Sequence, residues 1–349
     1  MDTSLHTVAL GILTPKSIDH MKSKKFVLYI IIAHFVFGSC KKNGVQVSPT
    51  ETTDQNSPVD VYAAGYSYNY ATFWKNGVAT KLVTDTSVQS QANAITVAGN
   101  DVYIAGTVFG LATYWKNGVM TKLSNSPMNS FGEAIAVSGN DVYVAGAMGT
   151  KAAVSVAEYW KNGVPTRLVT DTTDFSWVYG IAISGSDVYM AGYTFDAATG
   201  FNVATYWKNG VATNLTDQSE SGANAITIKG SDIYIAGGIG NTAVYWKNGV
   251  AQTVGGAGTT AAGIATGDTG PYVAIIQGPA ESSYWFNGFV TNLPFFSLAQ
   301  SISVNGTDVY SGGGITGDNG NYLATYWKNG VPVQLSHDGF VQAILTVPK

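Results

Sequence analysis

The chain has 349 residues and a formal net charge of −4, and 11% of its residues are charged. Aromatic residues make up 12% of the chain, and 41 residues are glycine. Such a composition is typical of all-β proteins with tight turns. The mild acidity and the lack of basic clusters argue against nucleic acid as a partner.

The first 40 residues have the features of a targeting segment. Lys22, Lys24 and Lys25 precede the apolar run Phe26–Phe37. That run is too short for a membrane-spanning helix, which needs about 20 residues. We therefore predict a signal peptide over residues 21–40, and we interpret residues 1–20 as an over-extended start without structure.

Small residues stand directly before Cys40, the single cysteine of the chain. The sequence Gly38-Ser39-Cys40 at the end of an apolar run resembles the lipobox of bacterial lipoproteins. The resemblance implies that Cys40 is lipidated and that the protein is exported and anchored to the bacterial cell envelope, with the outer membrane favoured. Contact with the membrane would then be through the lipid only. The alternative is an ordinary secretory signal that happens to end near a cysteine.

Residues 41–57 are almost entirely polar and predict a flexible tether. From residue 58 to residue 349 the chain is a series of repeats. The clearest repeated unit is Tyr-Trp-Lys-Asn-Gly, in which Asn-Gly predicts a type I′ hairpin turn. Its seven copies, two of them variants, stand at Phe73–Gly77, Tyr114–Gly118, Tyr159–Gly163, Tyr206–Gly210, Tyr245–Gly249, Tyr284–Gly288 and Tyr326–Gly330.

Two further strand patterns complete the repeat. The pattern Asp-Val-Tyr-x-Ala-Gly stands at Asp60–Gly65, Asp101–Gly106, Asp141–Gly146, Asp187–Gly192, Asp232–Gly237 and Asp308–Gly313, with a decayed form at Pro271–Ile275. The pattern Ala-Ile-x-Val or a close variant stands at Ala94–Val97, Ala134–Val137, Gly180–Ile183, Ala225–Ile228, Gly263–Ala265, Ser301–Val304 and Ala343–Thr346. Gly followed by Asn, Ser or Thr joins most pairs of these strands and predicts a type II′ turn.

One period contains four predicted strands. Strand A has the Ala-Ile-x-Val pattern, strand B has the Asp-Val-Tyr-x-Ala-Gly pattern, strand C ends in Tyr-Trp-Lys, and strand D follows the Asn-Gly turn. Successive repeat tryptophans are 39 to 47 residues apart, which is the spacing of β-propeller blades. The chain starts with a B strand and ends with an A strand. We therefore predict an all-β, seven-bladed β-propeller of four antiparallel strands per blade, closed when the C-terminal strand completes the N-terminal blade.

Two parts of the repeat resemble known families. The segment 180–192 is similar to NHL-type propeller repeats, and Ala-Thr-Tyr-Trp-Lys-Asn-Gly-Val-x-Thr-x-Leu resembles the HAF-type extracellular repeats of bacteria. Together the resemblances cover residues 60–347. They imply the architecture and no particular activity.

The repeated side chains have mainly structural interpretations. Tryptophans on C strands are expected to pack blade against blade. The Asp before Val-Tyr is expected to bond turn backbone, with a ring of ion ligands as the alternative. The Lys beside Asn-Gly is expected to be solvated. Phe286, which replaces that Lys in blade 6, lies near Phe289 and suggests either a partner patch or repeat decay.

Function is more readily carried by residues that do not repeat. The A–B and C–D turns share one face, which we call the short-turn face, and the more variable B–C and D–A connections share the opposite, variable face. If the A strands are innermost, the residues just before them ring the mouth of a central channel. These residues are Asn93, Glu133, Tyr179, Asn224, Ala262, Gln300 and Gln342.

We add Asp174, Trp177 and His337, which lie in the D–A connections, to the candidate ligand-binding residues. Amides, a carboxylate and a phenol beside aromatic rings would suit a neutral polar ligand such as a glycan or a peptide. The alternative is that these polar groups only solvate a channel mouth.

Signals for catalysis are sparse. His337 is the single histidine after residue 40, and there is no Cys- or His-rich metal spacing. We predict no catalytic residues, no metal and no cofactor, and we expect a monomer. Three functions stay open: a binding or scaffolding module for a glycan, peptide or surface protein; a polysaccharide lyase or hydrolase, for which Glu133 and Asp174 could supply carboxylates; and a structural surface protein without a small ligand.

Overall fold

The computed structural model describes residues 58–349, apart from 86, 127, 152, 153, 170–174, 218, 279, 280, 295 and 319. The predictions for residues 1–57, including the lipidation of Cys40, lie outside the described residues, and so does Asp174. No helix among the described residues has the length and hydrophobicity needed to cross a bilayer.

The described residues form seven sheets of four antiparallel strands each, which confirms the predicted seven-bladed propeller. Blade 1 contains β28 (Phe340–Pro348), β1 (Val59–Ser67), β2 (Tyr70–Lys75) and β3 (Val78–Lys81). Blade 2 contains β4 (Ser90–Ala98), β5 (Asp101–Val108), β6 (Leu111–Lys116) and β7 (Val119–Lys122). Blade 3 contains β8 (Ser130–Ser138), β9 (Asp141–Gly149), β10 (Ser155–Lys161) and β11 (Val164–Arg167).

The other four blades repeat this order. Blade 4 contains β12 (Ser176–Ser184), β13 (Asp187–Asp196), β14 (Phe201–Lys208) and β15 (Val211–Asn214). Blade 5 contains β16 (Ser221–Lys229), β17 (Asp232–Ile239), β18 (Thr242–Lys247) and β19 (Val250–Ala257). Blade 6 contains β20 (Thr259–Thr266), β21 (Pro271–Gln277), β22 (Glu281–Phe286) and β23 (Phe289–Asn292), and blade 7 contains β24 (Ser297–Asn305), β25 (Asp308–Thr316), β26 (Tyr322–Lys328) and β27 (Val331–Gln334).

The A strands form the inner wall of the ring. Each A strand stands at one end of its sheet, and A strands of neighbouring blades contact each other all the way round, including β28 with β24 and with β4. The D strands at the other end are four residues long in six of the blades and mostly exposed. Short outer strands limit pairing between molecules.

The ring closes with strands from both ends of the described chain. β28 pairs with β1 from Val59 opposite Pro348 to Tyr66 opposite Phe340. The C-terminal strand therefore completes the sheet that the N-terminal strands begin, as predicted.

The hairpin turns have the predicted types. The seven Asn residues of the C–D turns have φ between 48° and 52°, and each is followed by a Gly with positive φ, as in a type I′ turn. In the A–B turns Gly99, Gly139, Gly185, Gly230 and Gly306 have φ near 60°, which is the first position of a type II′ turn.

The repeated Asp and Lys do more than predicted. In blade 2, Asp101 Oδ1 accepts a hydrogen bond from Asn117 Nδ2 at 2.7 Å, while its Oδ2 pairs with Lys116 Nζ at 2.8 Å. Lys116 Nζ also lies 5.2 Å from the ring centroid of Tyr103. We call this Asp–Tyr–Lys–Asn set the turn lock. The predicted solvation of the Lys is confirmed, since the Lys116 side chain is 49% exposed, although its ion pair with Asp101 was not predicted. The prediction of an Asp bonded to turn backbone was wrong, because Asp101 binds the side chains of Lys116 and Asn117.

Six of the seven repeat tryptophans are core residues between blades, as predicted, whereas Trp285 of blade 6 is only partly buried. Trp115 is fully buried against Ala64 and Ala71 of blade 1 and against Ala92 and Ile104 of its own blade. Trp74, Trp160, Trp207, Trp246 and Trp327 are buried to the same degree, at 0–1% exposure. The small residues of the B and A strands leave the space that these indoles fill.

Each A strand carries one β-bulge, at the fourth residue of the strand in six blades and at the third in blade 1. In blade 2 the register shifts between Ala92 and Ala94, which leaves Asn93 as the extra residue. Opposite this bulge stands Gly106, where a Cβ would clash with the Gln91 carbonyl oxygen. The last Gly of the Asp-Val-Tyr-x-Ala-Gly pattern is explained by this close approach.

Candidate functional site

The bulges hold the seven residues that the sequence places at the channel mouth. The extra residue is Asn93, Glu133, Tyr179, Asn224, Ala262, Gln300 or Gln342, in successive blades. We predicted them just before the A strands, and this was wrong, because the strands begin three residues earlier and include them. All seven are partly exposed. We call this ring of bulge residues the channel mouth.

Two amides of the channel mouth reach the neighbouring blade. Asn93 Nδ2 donates to the Gly132 carbonyl oxygen at 3.0 Å and to Glu133 Oε2 at 3.1 Å. Asn224 Nδ2 donates to the Ala261 carbonyl oxygen at 2.9 Å. These bonds link the inner strands of adjacent blades and orient the side chains at the mouth.

Glu133 is the single carboxylate of the channel mouth. Its side chain keeps partial contact with solvent, yet the surrounding protein is close enough that burial raises its pKa from 4.5 to about 7. The side chain of Trp177 opposes part of this rise. Near neutral pH the carboxyl group therefore exists in both protonation states, as a donor and as an acceptor.

Trp177 brings a buried polar group to this site. Its indole is 7% exposed, and its Nε1 makes no hydrogen bond of standard geometry among the described residues. Five repeat tryptophans share that lack of a partner, but they lie in the packed space between blades. Trp177 differs because its indole interacts with the Glu133 carboxylate.

A row of aromatic rings crosses blades 3 and 4 beside Glu133. The Phe131 and Trp177 centroids are 5.0 Å apart, and those of Trp177 and Tyr179 are 6.1 Å apart in a stacked arrangement. Tyr193 follows at 6.1 Å from Tyr179. Burial raises the pKa of Tyr193 to about 12 and that of Tyr179 well above its ordinary value, so both hydroxyl groups stay protonated.

The other predicted residues are placed less tightly. Gln300 and Gln342 occupy the equivalent bulges of blades 7 and 1. His337 lies in the last D–A connection, where its Nδ1 is 3.1 Å from Gln334 Nε2, and it is not one of the bulge residues. The structure therefore brings Asn93, Glu133, Trp177 and Tyr179 together.

Sequence reasoning missed Phe131 and Tyr193 as parts of this cluster. Phe131 stands two positions before Glu133 on the same strand, and its ring packs on Trp177. The bulge at Glu133 breaks the alternation of side chains along the strand, so the sequence alone does not show that the two residues share a side.

Asp174, which the sequence suggested as a second carboxylate beside Glu133, lies outside the described residues, so that pair is not tested. No group of three or more His, Cys, Asp or Glu that could bind a metal occurs among the described residues. No second described carboxylate contributes to the pKa of Glu133. On the short-turn face a cleft of about 490 Å³ between blades 2 and 3 is lined by residues that include Asp101, Tyr103 and Lys116, which belong to the turn lock.

Comparisons with known proteins show similarity in fold alone. No protein-family model matches the chain, and no curated protein matches it. A puromycin hydrolase is similar with a TM-score of 0.54 and 10% identity over 80% of this chain and 52% of that one. A puromycin-hydrolysing peptidase from Mycobacterium tuberculosis gives 0.48 and 11% over 79% and 52%, and the designed protein Ika8 gives 0.41 and 19% over 71% and 76%. The chain thus spans about half the length of the two hydrolases.

Proposed function

We propose that this propeller is a binding or scaffolding module that holds a neutral polar ligand, a carbohydrate or a peptide, at the channel mouth. The observation that carries the proposal is the cluster of Glu133, Asn93, Trp177 and Tyr179, which departs from the repeat where the inner strands open to the variable face. A few convergent polar groups beside aromatic surfaces are typical of small-ligand sites.

Each group has a distinct part in such binding. The Tyr179 ring, which is partly exposed and stacks on the buried Trp177, would lie against an apolar face of the ligand. A half-protonated Glu133 could donate to or accept from a hydroxyl or amide group, and the indole of Trp177, which interacts with Glu133, would orient that carboxyl group. A neutral ligand suits a site whose single carboxyl group carries only part of a charge.

A glycan and peptide array with the protein, followed by calorimetric titration of the hits, tests the proposal. Glu133→Gln and Trp177→Phe should each weaken binding roughly tenfold, which corresponds to the loss of one hydrogen bond or stacking contact. Asp217→Asn, a change at an exposed carboxylate of the variable face, serves as control and should bind normally. Failure of every glycan and peptide to bind would support the structural-protein alternative.

A catalytic alternative is favoured by one observation, the raised pKa of Glu133, because a general acid works best with a pKa near the operating pH. A lyase or hydrolase would release new chain ends from a polysaccharide, and Glu133→Gln would abolish this release while the polysaccharide still binds. Binding without any release of chain ends would leave the module as the function.

We also propose that residues 21–40 export the protein and that lipidation of Cys40 anchors it to the cell envelope as a monomer. The described chain begins at the start of β1, on the short-turn face, so the variable face would point away from the membrane. Labelled palmitate should be incorporated into the protein and lost in Cys40→Ser. Protease treatment of whole cells should cut the variable loops before the short turns.

A further inference from the structure

Two aromatic residues of the variable face stand where the fold prefers another residue. Tyr68 and Phe109 are the first residues of the two-residue B–C turns of blades 1 and 2. Their φ values are 51° and 50°, in the left-handed region. Left-handed backbone costs an L-residue other than Asn or Asp roughly 1–2 kcal/mol. These two connections are also as short as those of the other face, contrary to the prediction of longer loops.

The same chain shows which residue this turn favours. All seven C–D turns place Asn at the equivalent position, with φ between 48° and 52°. Asn tolerates that conformation because its short polar side chain bonds locally. The B–C turns of blades 1 and 2 have the same first-position conformation but carry Tyr68 and Phe109.

Core packing does not account for these aromatic residues either. Tyr68 is 56% exposed and Phe109 is 76% exposed. Neither ring therefore gains the burial that stabilises aromatic residues elsewhere in the molecule. Phe296, at the entry to blade 7, combines 53% exposure with a φ of 65° in the same way.

The three residues belong to neighbouring blades, since β28 contacts both β24 and β4. Backbone hydrogen bonds hold these segments in place: Ser90 N donates to the carbonyl of Asn69, the second residue of the blade 1 turn, at 3.2 Å, Phe109 N to Gln89 O at 3.0 Å and Thr316 N to Phe296 O at 2.9 Å. The rings are thus presented on a firm backbone. Pre-ordered groups lose less entropy when a partner binds.

Charge restricts the kind of partner. The described B–C and D–A connections carry a single Lys, Lys151, and five acidic residues, Asp85, Asp217, Glu220, Asp318 and Asp338. A surface of this sign repels phosphate groups, anionic lipids and acidic polysaccharides. Uncharged and basic partners remain, and of these an uncharged partner with flat apolar faces matches the exposed aromatic rings, which are the feature that the turns maintain.

We propose that Tyr68, Phe109 and Phe296 form a platform that binds an uncharged polysaccharide across blades 7, 1 and 2. Sugar rings offer C–H faces that stack on aromatic rings, together with hydroxyl groups for the Gln and Asn residues nearby. Packed sheets are roughly 10 Å apart, so a chain of several sugars can touch more than one blade. A peptide would instead need a free strand edge or side-chain pockets, and the D-strand edges lie at the outer rim.

This inference rests on the proposed function in that both place the ligand on the variable face, but it uses different residues. Affinity electrophoresis of the protein in gels that contain starch, β-glucan, mannan or xylan tests it, with alginate as the anionic comparison. We expect at least one uncharged polymer to retard the protein and alginate not to do so. The variant Tyr68→Asn/Phe109→Asn should weaken retardation roughly tenfold.

Asn is the substitution of choice because the fold already accepts it in seven equivalent turns, so the melting temperature of the double variant should stay the same or rise. Phe289→Asn is the matched control, since Phe289 is 78% exposed on the short-turn face; its retardation should be that of the wild type. The inference is overturned if none of the uncharged polymers retards the wild type, or if the double variant is retarded equally.

The two sites give separate outcomes in the same gels. Loss of retardation in Glu133→Gln with full retardation of Tyr68→Asn/Phe109→Asn would overturn the platform and leave the channel-mouth site. The reverse pattern would support the platform and contradict the channel-mouth site for these polymers.

Discussion

Glu133 illustrates how one position in a repeat acquires its own chemistry. Other blades place Asn, Gln, Tyr or Ala at the same bulge, so the backbone does not demand a carboxylate there. The neighbours of Glu133 exclude water from its carboxyl group and raise its pKa to about 7. A carboxyl group held in this way lowers the stability of the fold when it is ionised. Its presence at this position is therefore more readily explained by a role in binding than by a role in folding.

The protonation of Glu133 makes a prediction about stability. Its folded pKa of about 7 exceeds the ordinary value of 4.5, so the folded state binds the proton more tightly than the unfolded state. The free energy of unfolding should fall by ~2–3 kcal/mol as the pH rises from below 4.5 to above 7. Chemical denaturation across this range measures it.

Glu133→Gln removes this part of the pH dependence and should be more stable than the wild type at pH 8. Asp217→Asn, an exposed carboxylate, is the control and should follow the wild-type profile. Parallel profiles for wild type and Glu133→Gln would contradict the raised pKa.

At the scale of the strand, each blade is held by a small set of repeated polar contacts. The turn lock ties the start of strand B to the C–D turn in six blades. In blade 6, Gly270 and Phe286 stand at the positions of the Asp and the Lys, and the Tyr272 and Phe286 rings stack at 3.9 Å with an angle of 5°. An aromatic contact thus replaces the cation–π contact, which explains how the decayed repeat keeps its shape.

A second repeated contact joins neighbouring blades. Ala112 N, on the C strand of blade 2, donates to Ser130 Oγ on the A strand of blade 3 at 2.8 Å. Ser90, Ser176, Ser221 and Thr259 accept in the same way from the preceding blade. In these five blades the Ser or Thr stands three residues before the bulge and could have been found from the sequence by its fixed offset.

Removing one such hydroxyl should therefore weaken the contact between two blades. Ser130→Ala leaves the buried Ala112 N–H without an acceptor, and we expect a loss of about 1–3 kcal/mol in the free energy of unfolding. Ser138→Ala, on the same strand and partly exposed, is the control. Equal stability of Ser130→Ala and the wild type in urea unfolding would show that water replaces the hydroxyl.

For the whole molecule the decisive feature is closure of the ring. β28 is the inner strand of blade 1 and also contacts β24 and β4. Without it, blade 1 would expose the edge of β1 and both neighbouring blades would lose packing. An open ring leaves unpaired strand edges, which favour aggregation.

Deletion of residues 342–349 should lower the melting temperature of the entire propeller, because the lost strand belongs to the contact between the first and last blades. Removal of Lys349 alone is the control, since it takes away one backbone hydrogen bond to Pro58 and an ion pair with Asp60 but leaves the pairing of β28 with β1 in place. A truncated protein that melts at the wild-type temperature would contradict closure as the source of stability. Differential scanning calorimetry measures both variants.

Much of the architecture was predictable because its signals are local and repeated. Asn-Gly turns, the Asp-Val-Tyr-x-Ala-Gly pattern and the phase of the two chain ends specified four strands per blade and seven blades. Strand length was less predictable. The bulges interrupt the alternation that marks a strand, so the three residues ahead of each bulge read as loop.

The sequence predicted which positions form the candidate site, but it did not predict which of their side chains contact each other. Sequence alone determined that Asn93, Glu133 and Tyr179 hold equivalent places in successive repeats, because a fixed period carries that relation. Only the tertiary structure decided that Asn93 bonds to Glu133, 40 residues away, and that Trp177 lies against that carboxylate. Such contacts arise between blades, where the packing of non-repeating side chains sets distance, burial and pKa, and no local pattern encodes them.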